Sequence, residues 1–310
     1  MSRRLFLFFL LGLALQPAWA EGVIHLILSD SGIAYQEAAK AFRGGVGANR
    51  TTKVSSLADL TAAQVSDMAR SASLIVPVGV QAARYIAQNY PVENSGGQAA
   101  VLSLMVPRAV SEKLQWPANL ARKKISAVYI DQPPARSLGL IGAAFPSARR
   151  VGLLVSKENA GVVKVLAQES ARRNFEINVA TVDSADDVAQ ALRQVLPESD
   201  VLLLVPDAVA INAGNAQNVL LTTYRYRVPV LGFSQGLSKA GAVASVYASP
   251  AQIGSQGAQM MARLAEGGEL PPPQYSSAFS IAFNQHVARS LGVSLPNEAD
   301  IRRKLGAQSE

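Results

Sequence analysis

Short runs of consecutive apolar residues recur along the chain, and the segments between them are long enough for one helix each. The runs are continuous rather than alternating, which is typical of strands covered on both faces. The main runs are 23–28, 74–78, 101–106, 125–130, 151–155, 201–205, 228–233 and 242–247, and the weaker ones are 51–55, 175–182 and 278–283. The pattern predicts a series of buried parallel strands.

Several of the intervening segments carry the signals of helix ends. Ser184 stands three residues before Asp187, which is the spacing of a capping box, and Pro197 ends the apolar stripe that follows. Ser249 begins a second such segment, with a proline directly after it and a glutamine three residues on, and Gly267-Gly268 ends it. These segments predict helices between the strands.

Strands that alternate with helices imply parallel sheets with right-handed crossovers. The strands are too many for one sheet, so we expect an α/β fold of two doubly wound, Rossmann-like lobes joined by a hinge. The expected N-terminal lobe comprises residues 21–130 with a returning segment near 240–270. The hinge crossing and the C-terminal lobe comprise 131–239 with a segment near 276–290, and 291–310 forms a tail.

The first 20 residues have the pattern of a secretory signal. Arg3 and Arg4 precede an apolar run at 5–15, and residues 18–20 (AWA) supply small residues at the two positions that signal peptidase recognises before its cleavage site. The run is too short to cross a bilayer as an anchor, which takes about 20 residues. We expect cleavage before Glu21 and a mature protein in the periplasm.

The composition excludes several kinds of functional site. The chain has no cysteine, so disulfides, thiolate metal sites and cysteine nucleophiles are excluded. The two histidines, His25 and His286, leave little for metal or acid–base chemistry, and we expect no metal, cofactor or catalytic residue. The net charge of +7 resides partly in short basic clusters without interleaved aromatics. We therefore expect these clusters to lie on solvent-exposed faces and the protein not to bind nucleic acid. The clusters are 122–124, 149–150, 172–173 and 302–304.

Three segments together resemble the ABC-transporter substrate-binding proteins of the tryptophan/tyrosine type. The first, 126–156 (SAVYIDQPPARSLGLIGAAFPSARRVGLLVS), has a strand, an Asp-Gln-Pro-Pro turn, a helix and a Val-Gly-Leu-Leu strand in order. The others are 228–267, beginning VPVLGFSQGLSKAGAVASVYASPAQIG, and 279–296, FSIAFNQHVARSLGVSLP. Residues 101–110 (VLSLMVPRAV) differ, because relatives have an acidic, Pro-containing turn there.

The resemblance implies a type I periplasmic-binding-protein fold, in which a small molecule is captured as two lobes close. It implies an amino-acid-like ligand, an ABC permease as membrane partner, and no catalysis. A ligand sensor that signals to a membrane receptor would use the same cleft, so this alternative stays open. We expect a monomer. The turn Asp131-Gln132-Pro133-Pro134 falls where a crossing between the lobes is expected, which favours a role at the hinge or cleft lip over catalysis.

Open α/β sheets bind ligands beyond the carboxyl ends of their strands, and this rule selects candidate residues in both lobes. In the N-terminal lobe a helix-capping role for the serines and the aspartate is the alternative, while glycine would allow close backbone approach. The N-terminal candidates are Ser29, Asp30, Ser31, Gly79 and Gln81, together with the loop 105–108. The C-terminal candidates are the loop 156–159, Pro206-Asp207, Phe233-Ser234-Gln235 and Tyr247. Asp207 is also a helix-cap candidate, and the Tyr247 ring could stack on a ligand or pack in the core.

The segment 232–236 (GFSQG) fits the G-x-S-x-G nucleophile elbow of α/β-hydrolases. His286 follows later in the chain, and Glu266 or Glu269 could supply the acid. The sequence has no HGGG-type oxyanion segment, and His286 lies within a helical pattern. A serine hydrolase that uses Ser234 is therefore the remote alternative.

Overall fold

The computed structural model describes residues 22–92, 99–118, 120 and 122–306. All eight main apolar runs and the three weaker ones contribute a strand there, which confirms the strand prediction. The strands in chain order are β1 (Ile24–Leu28), β2 (Thr52–Ser56), β3 (Leu74–Val78), β4 (Ala100–Val106), β5 (Ile125–Tyr129), β6 (Arg150–Ser156), β7 (Glu176–Val182), β8 (Val201–Leu203), β9 (Val230–Gly232), β10 (Ala244–Tyr247), β11 (Gln274–Tyr275) and β12 (Ser280–Phe283).

Helices occupy the segments between the strands. Capping boxes form at Ser184 and Ser249 as their spacing predicts, although Ser184 begins a 3₁₀ turn that leads into the α-helix. The helices are α1 (Ile33–Val46), α2 (Ala62–Ser71), α3 (Val80–Asn89), α4 (Arg108–Ser111), α5 (Pro134–Ala144), α6 (Gly161–Ala171), α7 (Val188–Val195), α8 (Ala216–Arg225), α9 (Gln235–Ala240), α10 (Pro250–Gly267), α11 (Gln285–Ser290) and α12 (Glu298–Gly306).

The strands form two six-stranded sheets, each with helices packed against it. The first sheet has the order β11-β5-β4-β3-β1-β2, and all its strands are parallel. The second has the order β12-β10-β9-β8-β6-β7, and only its edge strand β12 is antiparallel. This arrangement confirms the expected α/β fold of two doubly wound lobes.

The chain passes from one lobe to the other three times. It crosses between β5 and α5, between β10 and α10, and between β11 and β12. Helix α10 thereby returns to the first lobe, where Ile253 and Met261 join the core that lies beneath β1, β3 and β4. Three nearby connections form the hinge, and this explains why residues near 130, 248 and 276 lie close together.

Two segments differ from the expected division into lobes. Residues 240–248 lie in the second lobe, because β10 pairs with β9 and β12 there; the returning segment begins with α10. The expected tail contains α12, whose Ile301 and Leu305 are buried in the core of the second lobe. An apolar run predicts that a strand is buried but not which sheet it joins, which explains the difference at β10. Helix α12 was not predicted because its only large apolar residues are these two, among many charged ones.

The signal segment and the cleavage site before Glu21 lie outside the described residues. Among the helices that the structure describes, none is both long enough and apolar enough to cross a membrane.

Candidate functional site

The carboxyl ends of the two sheets face each other across a cleft, and the lobes touch along it. At the lip, the Arg84 guanidinium of the first lobe forms a salt bridge with the Glu158 carboxylate of the second. The Lys113 ammonium donates to the backbone carbonyl of the same glutamate. Deeper in the cleft, α4 packs against the beginning of α6, where Gly161 lies beside Ala109. These contacts hold the lobes together without covering the hinge side.

A cavity lies on the hinge side of the cleft, between α4, α5, α6 and the ends of β8 to β10. The cavity volume is about 40 Å³, well below the roughly 150 Å³ of a protein cavity that holds benzene. A molecule of that size or larger therefore requires the lobes to part. Residues that line the cavity include Arg108, Ala109, Glu112, Asp131, Gln132, Pro134, Ser137, Gly161, Val162, Val165, Leu166, Leu203, Val205, Pro206, Phe233, Val246 and Tyr275.

Asp131 supplies a buried carboxyl group at the polar end of this cavity. It follows β5 at the first crossing, and its Oδ2 accepts a hydrogen bond from the backbone N–H of Arg108 at 2.5 Å. Burial raises the pKa of Asp131 to about 6, and the hydrogen bond from Arg108 offsets part of that rise. The sequence-based placement of this residue at a crossing agrees with the fold, and the side chain also reaches the cavity.

The raised pKa of Asp131 predicts how stability changes with pH. The folded protein binds the proton more tightly than the unfolded chain, so the free energy of unfolding should fall as pH rises from about 4 to about 6. Asp131→Asn keeps the acceptor for Arg108 but never ionises. We expect it to stabilise the fold at pH 7.5 by on the order of 2 kcal/mol and to flatten this pH dependence. Urea unfolding at pH 4.5, 6.0 and 7.5 measures both effects, and an undiminished slope in the variant would contradict the assignment.

Arg108 brings a positive charge to the same end of the cavity. Its Nε donates to the Glu112 carboxylate at 2.6 Å, and its Nη1 donates to the Tyr275 hydroxyl at 3.2 Å. The Tyr275 ring also lies edge-on to Tyr129, with 5.4 Å between ring centroids. Arg108 falls within the loop 105–108 that the strand-end rule selected, in the segment that lacks the acidic turn of relatives.

A second arginine, Arg136, is fully enclosed at the hinge. Its side chain is 2 % exposed, and its Nη1 donates to Gln132 Oε1 at 2.6 Å and to the Ser276 carbonyl at 3.1 Å. The guanidinium lies over the Phe279 ring, with 4.2 Å to the centroid. Burial lowers the pKa of Arg136 to about 10. These contacts connect the first crossing with the third.

The structure brings Ser29 and Gly79 together in the first lobe. Ser29 Oγ accepts the backbone N–H of Ala82 at 3.0 Å and so caps α3, rather than the helix that follows it in sequence. Gly79 has a φ of +94°, and a Cβ there would lie 2.6 Å from Ser29 Oγ. Both the positive φ and the close approach therefore require glycine at this turn.

The remaining candidates of the first lobe are exposed at the cleft face. Asp30 accepts the backbone N–H of Gly32 at 2.6 Å, a local turn that precedes α1, while Ser31 and Gln81 are open to solvent. Within the described chain, Ser29, Asp30, Ser31, Gly79 and Gln81 stand apart from the lining of the hinge-side cavity. Their part in binding stays a prediction.

In the second lobe, Asp207 and Phe233 differ in what they offer a ligand. Asp207 is buried, and its carboxylate accepts the backbone N–H groups of Ser156, Val209 and Ala210 at 2.7–3.0 Å. It therefore fixes the strand-end loops. Phe233 is half-buried and lines the cavity, so its ring is placed for contact with a bound molecule.

Ser234 and Tyr247 both lie in the second lobe, and Ser234 has a local hydrogen-bond partner there. Ser234 Oγ caps α9 by accepting the N–H of Leu237 at 3.2 Å, and its φ of −152° is ordinary extended backbone rather than the strained turn of a nucleophile elbow. His286 is exposed, and its Nδ1 lies 3.4 Å from the Arg289 guanidinium. Tyr247 is half-buried; burial and the nearby Glu298 carboxylate raise its pKa. Its neighbour in β10, Val246, lines the cavity instead.

Sequence reasoning missed Arg136 and Tyr275 as cleft or hinge residues. It placed Gln132 only as part of the Asp-Gln-Pro-Pro turn expected at the hinge or cleft lip. Arg136 stands in the first turn of α5, where an arginine usually indicates a solvent-exposed position. Tyr275 belongs to a two-residue strand directly after three prolines, a pattern that predicts a connector.

The chain resembles several solved structures over most of its length. One is an ABC domain in complex with L-Trp from Streptococcus pneumonia, which is 17 % identical with a TM-score of 0.67 and covers 90 % of this chain and 98 % of that one. Another is the ligand-free, open structure of a substrate-binding protein with adhesive properties from Clostridium difficile, 18 % identical with a TM-score of 0.67, covering 89 % and 96 %. A conserved domain protein from Vibrio cholerae is 18 % identical with a TM-score of 0.66, covering 91 % and 98 %.

These structural likenesses, at identities below 20 %, show the type I periplasmic-binding-protein fold. Among curated proteins, none matches this chain with significance. The family model described as ABC transporter substrate binding protein matches residues 49–302, well over half of the sequence. The chain therefore belongs to the family of ABC transporter substrate-binding proteins.

Proposed function

We propose that this protein is a periplasmic solute-binding protein that captures a small, amino-acid-like molecule between its lobes and presents it to an ABC-type importer. The observation that carries the proposal is the cavity at the hinge side of the cleft, which both lobes line with apolar walls and one polar end. Family membership supports a small-molecule ligand and a membrane transporter as partner, and the family is defined by binding rather than by catalysis.

Lobe closure supplies the mechanism. A molecule that contacts both lobes stabilises the closed form by its differential affinity for that form, so binding and closure are one equilibrium. The salt bridge between Arg84 and Glu158 forms only when the lobes meet, and it contributes at the exposed lip, where such pairs add at most about 1 kcal/mol. The ligand must therefore supply most of the closing free energy.

Export supports the same assignment. The N-terminal pattern of residues 1–20 favours a cleavable signal and a mature chain that begins at Glu21 in the periplasm, where importers of this class collect their solutes. The protein acts as a monomer in this proposal, because each chain carries both lobes of one cleft.

Native mass spectrometry of the purified protein tests the proposal, since a closed cleft retains a tightly bound molecule through purification. We expect the native protein to have a higher mass than the chain alone, and we expect this excess mass to disappear on denaturation. A protein that carries no such mass and shows no lobe closure with any amino acid or related solute would contradict the proposal.

A further inference from the structure

The hinge contains a buried cation without a counter-charge. Arg136 is 2 % exposed, and within the described part of the chain no carboxylate forms a salt bridge with it. Its Nε has no hydrogen-bond partner there either. An unpaired buried charge is costly for folding, and replacement of buried ionic groups by apolar ones is often neutral or stabilising. A role beyond stability is the simplest reason for its presence.

The bond from Arg136 to Gln132 determines how the amide of Gln132 is oriented. A guanidinium can only donate hydrogen bonds, so the atom of Gln132 that it meets at 2.6 Å must be the amide oxygen. With the oxygen engaged, the remaining polar atom of this side chain is the NH₂ group, whose bond to the Asp131 carbonyl is long, at 3.4 Å. Gln132 lines the cavity, so it can offer an N–H to a bound molecule.

We propose that Arg136 is a positioning residue that orients the Gln132 amide as a donor toward the cavity, where it binds a carboxylate group of the solute. This inference rests on the proposed function and specifies the chemistry of the same site. Arg136 contributes through Gln132 and through its positive charge behind the cavity wall.

Other groups at the polar end fit an anionic oxygen. The Arg108 guanidinium lines the same end, and the Tyr275 hydroxyl, which accepts from Arg108, keeps its own proton available to donate. Asp131 directs Oδ2 to the Arg108 backbone, and Glu112 is paired with the Arg108 side chain. The opposite wall, which includes Val162, Leu166 and Val246, is apolar. The inferred solute is a carboxylate with an apolar body.

Three probes with the same apolar body test the inference: 3-phenylpropanoate, 3-phenylpropanamide and 3-phenylpropylamine. We expect the wild-type protein to bind the carboxylate about 10- to 100-fold more tightly than the amide, the range of one charged hydrogen bond, with the amine weaker still. Arg136→Met should reduce this preference, with Arg108 and Tyr275 left to favour the carboxylate, whereas Arg136→Lys, which can also donate to Gln132, should retain it in full. Calorimetry gives the affinities, and the urea midpoint of each variant separates a loss of selectivity from a loss of fold.

A second variant covers the case in which Arg136→Met does not fold. Gln132→Glu would pair with Arg136 and place a negative charge at the cavity, so it should fold and reject the carboxylate probe. Failure of the wild-type protein to bind the carboxylate, a preference for the amide or amine, or an unchanged preference in Arg136→Met would each overturn the inference. A retained cleft molecule without a carboxylate would also overturn it while leaving the proposed solute-binding function intact.

Discussion

Replacement of Phe233 by Ala should weaken binding of the solute retained in the cleft by about 1–3 kcal/mol, equivalent to a 5- to 150-fold rise in Kd. The Phe233 ring lines the hinge-side cavity from the second lobe, directly after β9. An aromatic ring at such a position contributes a large apolar contact that truncation to alanine removes. Calorimetric titration of the wild-type protein and the variant with the solute identified by native mass spectrometry measures the effect.

The fold should tolerate this change, because Phe233 is only half-buried and lies at the margin of the core formed by β8, β9 and α7. Tyr224→Ala is the matched control: this aromatic on α8 is 46 % exposed and stands outside the cavity lining, so its loss should leave affinity unchanged. If Phe233→Ala lowers the melting temperature together with the affinity, the ring is packed inside its own lobe and stabilises the fold. Unchanged affinity would place it outside the binding site.

The fold could be predicted from the sequence because its strands are buried on both faces. All five residues of β3 (LIVPV) and all seven of β4 (AVLSLMV) are buried, and such runs differ clearly from the amphipathic helices between them. The lobe to which β10 belongs could not be read in this way, since the chain crosses the hinge directly after that strand. Hydrophobic pattern reports burial, whereas sheet membership depends on pairing between distant segments.

The candidate site was predicted only in part, for a similar reason. The strand-end rule selected Phe233 and the loop that contains Arg108, and both line the cavity. The rule does not state how each side chain is used: Ser29 caps a helix more than 50 residues away, and Asp207 is engaged by three backbone N–H groups. Arg136 escaped detection because the residue type suggests solvent, while residues of the first and third chain crossings enclose it.

Gly254→Ala should strongly destabilise the first lobe. Gly254 lies on the face of α10 that packs against α1, and a Cβ there would stand 2.2 Å from the backbone oxygen of Ala38 and 3.0 Å from the backbone nitrogen of Phe42. Backbone atoms inside a helix cannot move aside alone, so the two helices would have to separate along their length. We expect a loss of about 3 kcal/mol in the free energy of unfolding, at the upper end for overpacked cores.

Two further glycines allow the cause to be isolated. A Cβ at Gly257, one turn along α10, would meet the Leu104 Cδ2 atom at 2.8 Å, which belongs to a side chain rather than to the backbone, so Gly257→Ala should be less destabilising than Gly254→Ala. Gly44, near the end of α1, has open space around its Cα, and Gly44→Ala should stabilise the helix by up to about 1 kcal/mol. Urea unfolding of the three variants should therefore rank them by what the added methyl meets: backbone, side chain, then solvent. If Gly254→Ala proves as stable as Gly44→Ala, α1 and α10 cannot be in backbone contact, and the returning helix packs on the first lobe in another way.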